Sequence, residues 1–150
     1  MISESPRVVR KHPSLIELER LRRLGHNDCF ACGNPETRLD FALDGPDVLR
    51  AAFRFRKSMT SFNGYVHGGL QALLLDQAMT CSLMAQGVFG ATGDFNIRYR
   101  HSVEVGPSVI IRSWVNQHSH RLYYLRAEIR QGNTLCTQTS ARFMEKDLVL

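Results

Sequence analysis

The longest apolar pattern in the chain runs from Gly68 to Gln86. Its core, LQALLLDQAMTCSLMAQ, holds no Gly or Pro, and Gly87 is a natural stop. It is apolar on nearly every face, which predicts a helix buried by its surroundings. At about 1.5 Å per residue it spans roughly 28 Å. A shorter helix is predicted over 14–24, where Leu15, Leu18, Leu21 and Leu24 recur at helical spacing. Pro13 can open it, Ser14 with Glu17 has the form of a capping box, and Gly25 can end it.

The rest of the pattern has period two. Phe53 and Phe55 alternate with Arg54 and Arg56. Phe95, Ile97 and Tyr99 alternate with Asn96, Arg98 and Arg100. Tyr123, Leu125, Ala127 and Ile129 alternate with Tyr124, Arg126, Glu128 and Arg130. Strands are predicted around 39–43, 49–56, 92–101, 107–117, 120–131 and 134–145. The polar connections after residue 101 have hairpin lengths, so the strands are expected to be mostly antiparallel. The predicted class is α+β: an antiparallel sheet of about six strands wrapped around one long buried helix, with a short N-terminal helix. Residues 1–25 read as a leader and short helix, the first 11 residues loose, and residues 26–150 as the main domain.

Composition narrows the function classes. The chain has 150 residues, 43% apolar and 22% charged, as in a soluble globular domain. No apolar run reaches the roughly 18 residues of a membrane span. The first 11 residues lack a secretory apolar stretch, so the expected compartment is the cytoplasm, without membrane association. Net charge is +5, but residues 1–24 carry six basic and three acidic side chains, and the remainder is near neutral. That argues against a nucleic-acid partner and for, at most, a local basic cluster meeting one phosphorylated ligand. Cys81 and Cys136 lie in apolar stretches and are expected to be inert, and no disulfide is expected.

Candidate chemistry gathers in Asn63-Gly-Tyr-Val-His-Gly-Gly-Leu70, running into Leu73-Leu-Leu-Asp76-Gln-Ala78. His67, Gly68 and Gly69 fall where the long helix begins. A helix start offers unpaired N–H groups and a partial positive charge, and glycine lets a carbonyl come close. Such a start can serve as an oxyanion hole. Asp76 is a poor helix-interior residue set among Leu73, Leu74, Leu75, Ala78 and Met79. Two accounts fit: a general base or nucleophile, or an Asp on one wet stripe paired with Gln77 or Thr80. Nine residues, about 13 Å of helix, separate His67 from Asp76. One carbonyl cannot touch the Gly68 amide and the Asp76 carboxylate of the same helix, so joint action requires two chains side by side.

These residues resemble the phenylacetate-degradation-type (PaaI-like) hotdog thioesterases. The loop HNDCFACGNPE, the segment Asp94-Phe-Asn-Ile-Arg-Tyr99, the Gly106 turn and the final Ala141-Arg-Phe strand extend the resemblance over roughly residues 26–145. It implies a hotdog-fold acyl-CoA thioesterase that releases free acid and CoA. Asp76 would be the catalytic carboxylate, Gly68 would supply the oxyanion-hole N–H, and His67, the third catalytic candidate, would support the helix start and contact the thioester. Thr92 falls where relatives carry a Ser or Thr that holds water or the carboxylate. Many relatives carry Asn or Gln six residues before the histidine; here that position is Ser61, with Asn63 two residues on. Ser61, Asn63, Gly69 and Thr92 are therefore candidate substrate contacts. Arg98 and Arg100 are the preferred candidates for CoA phosphates, ahead of His101 and Arg121. Self-association as a homodimer, or a homotetramer of paired dimers, is expected. The alternative is a non-catalytic hotdog module that binds acyl-CoA or acyl carrier protein.

One motif stands apart. Cys29-x-x-Cys32 follows His26, and three such ligands can begin a zinc site. No fourth ligand lies nearby and there is no second CxxC. The expectation is a structural loop, with no metal and no cofactor beyond CoA as part of the substrate.

Overall fold

The computed structural model describes residues 12–147, and the segment 1–11 expected to be loose lies outside them. The order is α1 (Leu15–Gly25), β1 (Ala42–Asp44), β2 (Val48–Phe53), a 3-10 turn (Lys57–Met59), α2 (Gly68–Ala85), β3 (Gly90–Tyr99), β4 (Val109–Ser119), β5 (Leu122–Gln131) and β6 (Thr134–Glu145). The six strands form one antiparallel sheet in the order β1-β2-β4-β5-β6-β3. With α2 laid across one face, this is the hotdog fold.

Alternation sets that face. Tyr123, Leu125, Ala127 and Ile129 of β5 are buried, as are Val109 and Ile111 of β4 and Ala141 and Phe143 of β6. They pack with Leu74, Leu75, Ala78, Met79 and Leu83 of α2. Each such large side chain contributes about 1.5–3 kcal/mol on burial. Gly87 ends α2 at φ +85°. Its N–H and that of Val88 then bond back to Met84 O and Leu83 O, which closes the last turn.

α1 packs on α2 by burying Leu18 and Leu21 against Leu49, Cys81, Met84 and Ala85. Its capping box is half formed. Ser14 Oγ accepts the Glu17 N–H at 3.2 Å. The Ser14 N–H donates instead to Ala85 O at the end of α2, and the Glu17 carboxylate takes the Arg20 guanidinium.

Two predicted strands are trimmed. The run 39–43 is strand only from Ala42, because the Leu39 N–H donates to Gln77 Oε1 of α2 at 2.8 Å. The run 49–56 leaves the sheet after Phe53, and Phe55 turns into the core.

β3 is an edge strand, bonded to β6 on one side only, and most of it is exposed. Beside it α2 shows a partly open stripe of Gly69, Ala72, Leu73, Asp76 and Thr80. The buried helix of the sequence reading is thus buried on all but this one face. No helix of the described residues is long and apolar enough to cross a membrane.

Candidate active site

The start of α2 is held by its own sequence. His67 is the N-cap, with φ −58° and ψ 128°, and its Nδ1 accepts the Gly69 N–H at 2.9 Å. Accepting there puts the neutral ring's proton on Nε2. Gly69 makes this fold-back possible: a Cβ would meet the imidazole at 3.0 Å. Because the cap occupies the Gly69 N–H, it leaves the Gly68 N–H without an acceptor among the described residues. On the other side of the turn, Tyr99 Oη donates to Gly68 O at 2.7 Å, and a Cβ on Gly68 would meet the Tyr99 ring at 3.2 Å. Burial pushes the Tyr99 phenol above its ordinary value, so it remains a donor at neutral pH.

Asp76 lies two turns further along the open stripe. Thr92 Oγ1 of β3 donates to Asp76 Oδ1 at 2.7 Å. No donor reaches Oδ2 among the described residues. The partner is neither Gln77 nor Thr80: Gln77 is buried and spans the Thr37 carbonyl and the Leu39 N–H. Thr92 reaches the helix because β3 carries a bulge. Its register with β6 shifts between Thr92 and Asp94, making Gly93 the extra residue. Strict alternation would set Thr92 opposite to Phe95 and Ile97. The bulge puts all three on the helix side.

A cleft of about 480 Å³ opens at the α2 start, lined by residues that include Ser61, His67, Gly68, Gly69, Tyr99 and Arg100. Asp76 is not among them. Eight residues of helix, about 12 Å, separate it from Gly68. One chain therefore presents the free Gly68 N–H and the Asp76 carboxylate well apart along a single open flank.

The structure brings together some sequence candidates and separates others. Ser61 lines the cleft, whereas Asn63 sits exposed in the preceding loop. Arg100 lines the cleft because the β3–β6 ladder ends at Tyr99, beyond which the Arg100 and His101 N–H groups both bond to Cys136 O. Arg100 Nε also donates to Gln138 Oε1 at 2.5 Å. Arg98 follows strict alternation on the face of β3 away from α2 and is outside the cleft. Met79 and Leu83 are fully buried core, whereas Phe62 and Tyr65 line the cleft. Sequence reasoning missed the tether from Tyr99 to Gly68. Its signal was a residue with a polar tip closing an otherwise apolar inward set.

A family model described as the thioesterase superfamily matches residues 63–137. This span holds His67, Gly68, Asp76 and Thr92. The mouse (Mus musculus) acyl-coenzyme A thioesterase 13 is 26% identical over 91 residues, which cover 59% of this chain and 65% of that protein. The chain thus spans less than two thirds of that relative. It spans 48% of one solved thioesterase superfamily protein, 21% identical with a TM-score of 0.63 over 65% of this chain. The zebra fish thioesterase superfamily member 2 superposes with a TM-score of 0.71 at 19% identity, covering 87% of this chain and 94% of that one. A hypothetical thioesterase of Streptococcus pneumoniae TIGR4, solved with coenzyme A, gives 0.67 at 14% identity over 71% of this chain and 87% of that one. The same protein has been solved with an aspartate, and separately a threonine, replaced by alanine. Those two positions are sixteen residues apart, the separation of Asp76 and Thr92 here.

Proposed function

Because the chain belongs to the thioesterase superfamily, we propose that it hydrolyses an acyl-CoA thioester at a site shared between two copies of itself. One observation carries the reading. Asp76 has one carboxylate oxygen oriented by Thr92 and the other open, on a helix whose start leaves the Gly68 N–H unused. The coenzyme A bound to the Streptococcus pneumoniae protein, and its aspartate and threonine variants at matching separation, support the same chemistry.

In this reading the substrate carbonyl oxygen meets the Gly68 N–H of one copy, and the carbonyl carbon faces Asp76 of the other. The helix dipole and the N–H stabilise the developing oxyanion. As general base, Asp76 takes a proton from water, and the hydroxide attacks the carbonyl carbon. The C–S bond then breaks, and the CoA thiolate recovers the proton. As nucleophile, the carboxylate itself attacks, the C–S bond breaks to release the CoA thiolate, and water then cleaves the resulting anhydride, regenerating the carboxylate and supplying the thiol proton. Thr92 orients the carboxylate in both. Arg100, on the rim of the cleft, is suited to the phosphates of CoA. The exposed β3 edge and the apolar Ala72 and Leu73 beside Asp76 are the surface on which a second copy would complete the site.

The direct test is Asp76→Asn, which keeps the side chain's shape and removes the base. Hydrolysis across an acyl-CoA panel is expected to fall by about 10²–10⁴-fold with the circular dichroism unchanged. Undiminished turnover would overturn the assignment. Binding of acyl-CoA without turnover by the unmodified chain would favour a non-catalytic module.

A further inference from the structure

Outside the proposed site, the loop between α1 and Leu39 converges on three side chains that each offer a metal-ligating atom. The ligand atoms of His26, Cys29 and Cys32 all lie within 4.8 Å of one another. His26 is the C-cap of α1, so its ring is carried on a fixed helix end. The turn that follows is tight. The Cys29 N–H bonds to His26 O and the Gly33 N–H to Cys29 O, and the Cys32 N–H points at Cys29 Sγ from 3.4 Å. Gly33 is demanded by this turn, since a Cβ there would meet Cys29 O at 2.6 Å and Asn27 O at 2.8 Å. A backbone N–H aimed at sulfur steadies a thiolate held as a ligand.

Cys32 Sγ and His26 Nδ1 stand 3.5 Å apart, at hydrogen-bonding distance. Zinc binds thiolate sulfur at about 2.3 Å and imidazole nitrogen at about 2.0–2.1 Å in a tetrahedron, which sets two such ligands roughly 3.5 Å apart. The pair already stands at the separation of two ligands on one ion. The surroundings supply a second observation. Arg22 is only 5% exposed, its Nε has no hydrogen-bond partner among the described residues, and it lines the same polar cleft as His26 and Cys32. The rest of the guanidinium is occupied, Nη1 by Glu19 at 3.3 Å and Nη2 by Leu39 O and Cys81 Sγ, so Nε is the one nitrogen left unfilled, and metal-bound thiolates beside it supply further negative charge.

We infer that His26 Nδ1, Cys29 Sγ and Cys32 Sγ bind a zinc-class divalent ion, with solvent completing the tetrahedron. Two sulfurs and an imidazole exclude magnesium and calcium, which take oxygen ligands. Binding releases the thiol protons to solvent. The ion fastens a loop whose far end is tied to α2, where Gln77 spans Thr37 and Leu39 next to Asp76. It therefore acts as a clasp on the fold, apart from the hydrolytic groups.

The test needs no substrate. Protein purified without chelator from zinc-supplemented medium is assayed for metal, and chelator-stripped protein is titrated with cobalt(II). Expected are about one zinc per chain and a thiolate-to-cobalt charge-transfer band with tetrahedral d–d absorption that zinc abolishes. Cys29→Ser and Cys32→Ser should lose the band, and Cys136→Ser, outside the loop, should keep it. If the loop variants do not fold, the wild-type cobalt spectrum decides alone. Folded wild-type protein without a charge-transfer band at saturating cobalt would overturn the assignment. So would a Cys29–Cys32 disulfide that forms in air despite excess zinc.

Discussion

Asp76 differs from the buried polar residues of α2 in what it leaves unfilled. Gln71 is buried and bonds to Thr137 and Val66, Gln77 to the 37–39 backbone, and Ser82 to Ser113. Those bonds hold the helix to its surroundings. Asp76 accepts one hydroxyl and keeps an oxygen open on the exposed flank. A hydrogen bond to a charged group is worth about 1.5–3 kcal/mol, or roughly 10–100-fold in rate where it orients the reacting carboxylate. Thr92→Ala is accordingly expected to lower kcat within that range, with KM little changed, and Thr92→Ser to restore most of it. Equal kcat in steady-state assays of all three proteins would remove Thr92 from the mechanism. Asp76 was legible in the sequence because an acid among leucines asks for an explanation. Its contact with Thr92 was not legible from alternation. Only a bulge at Gly93 turns Thr92 inward, and a lone glycine in a strand does not reveal which way the register shifts.

At the scale of elements, both helices and the last four strands follow from period and punctuation. The misses have local causes. The stretch 39–41 carries strand-like residues but spends its backbone on Gln77, a partner 38 positions away that no local pattern announces. Arg98 and Arg100 read as an equivalent pair, yet the ladder stops between them and only Arg100 reaches the cleft. The α2 stripe is the more consequential case. An all-apolar helix predicts burial on every side, whereas one face with Leu73 stays partly open in a single chain, beside an edge strand. If a second copy covers that face, a charge at its centre should oppose association. Leu73→Lys keeps helix propensity and is tolerable where Leu73 is already partly exposed. By light scattering it is expected to shift the protein toward monomer, and hydrolysis should fall with the dimer fraction. A dimer of unchanged stability would show that this stripe is not the interface.

At the scale of the whole molecule, strand order was beyond the sequence, because hairpin lengths fix neighbours and not which strand ends at an edge. β3 follows α2 in the chain but pairs with β6, and this brings Tyr99 to the start of α2 and Thr92 to its middle. One flank thus displays the Gly68 N–H and the Asp76 carboxylate about 12 Å apart, a separation that one thioester cannot bridge. Two copies related by a two-fold axis would offer the donor of each to the carboxylate of the other. Chain mixing tests this. Asp76→Ala removes the carboxylate. Gly68→Pro removes the N–H at a position where helices accept proline, and the extended His67 backbone before it tolerates one. Gly68→Ala is the control, because it shares the crowding of a Cβ against Tyr99 while keeping the N–H. Each inactive chain alone should stay inactive. After co-refolding in equal amounts, half of the dimers are mixed and each holds one intact site, so about a quarter of wild-type activity should return. No recovery, with mixed dimers demonstrated by mass, would place the donor and the carboxylate in separate reactions.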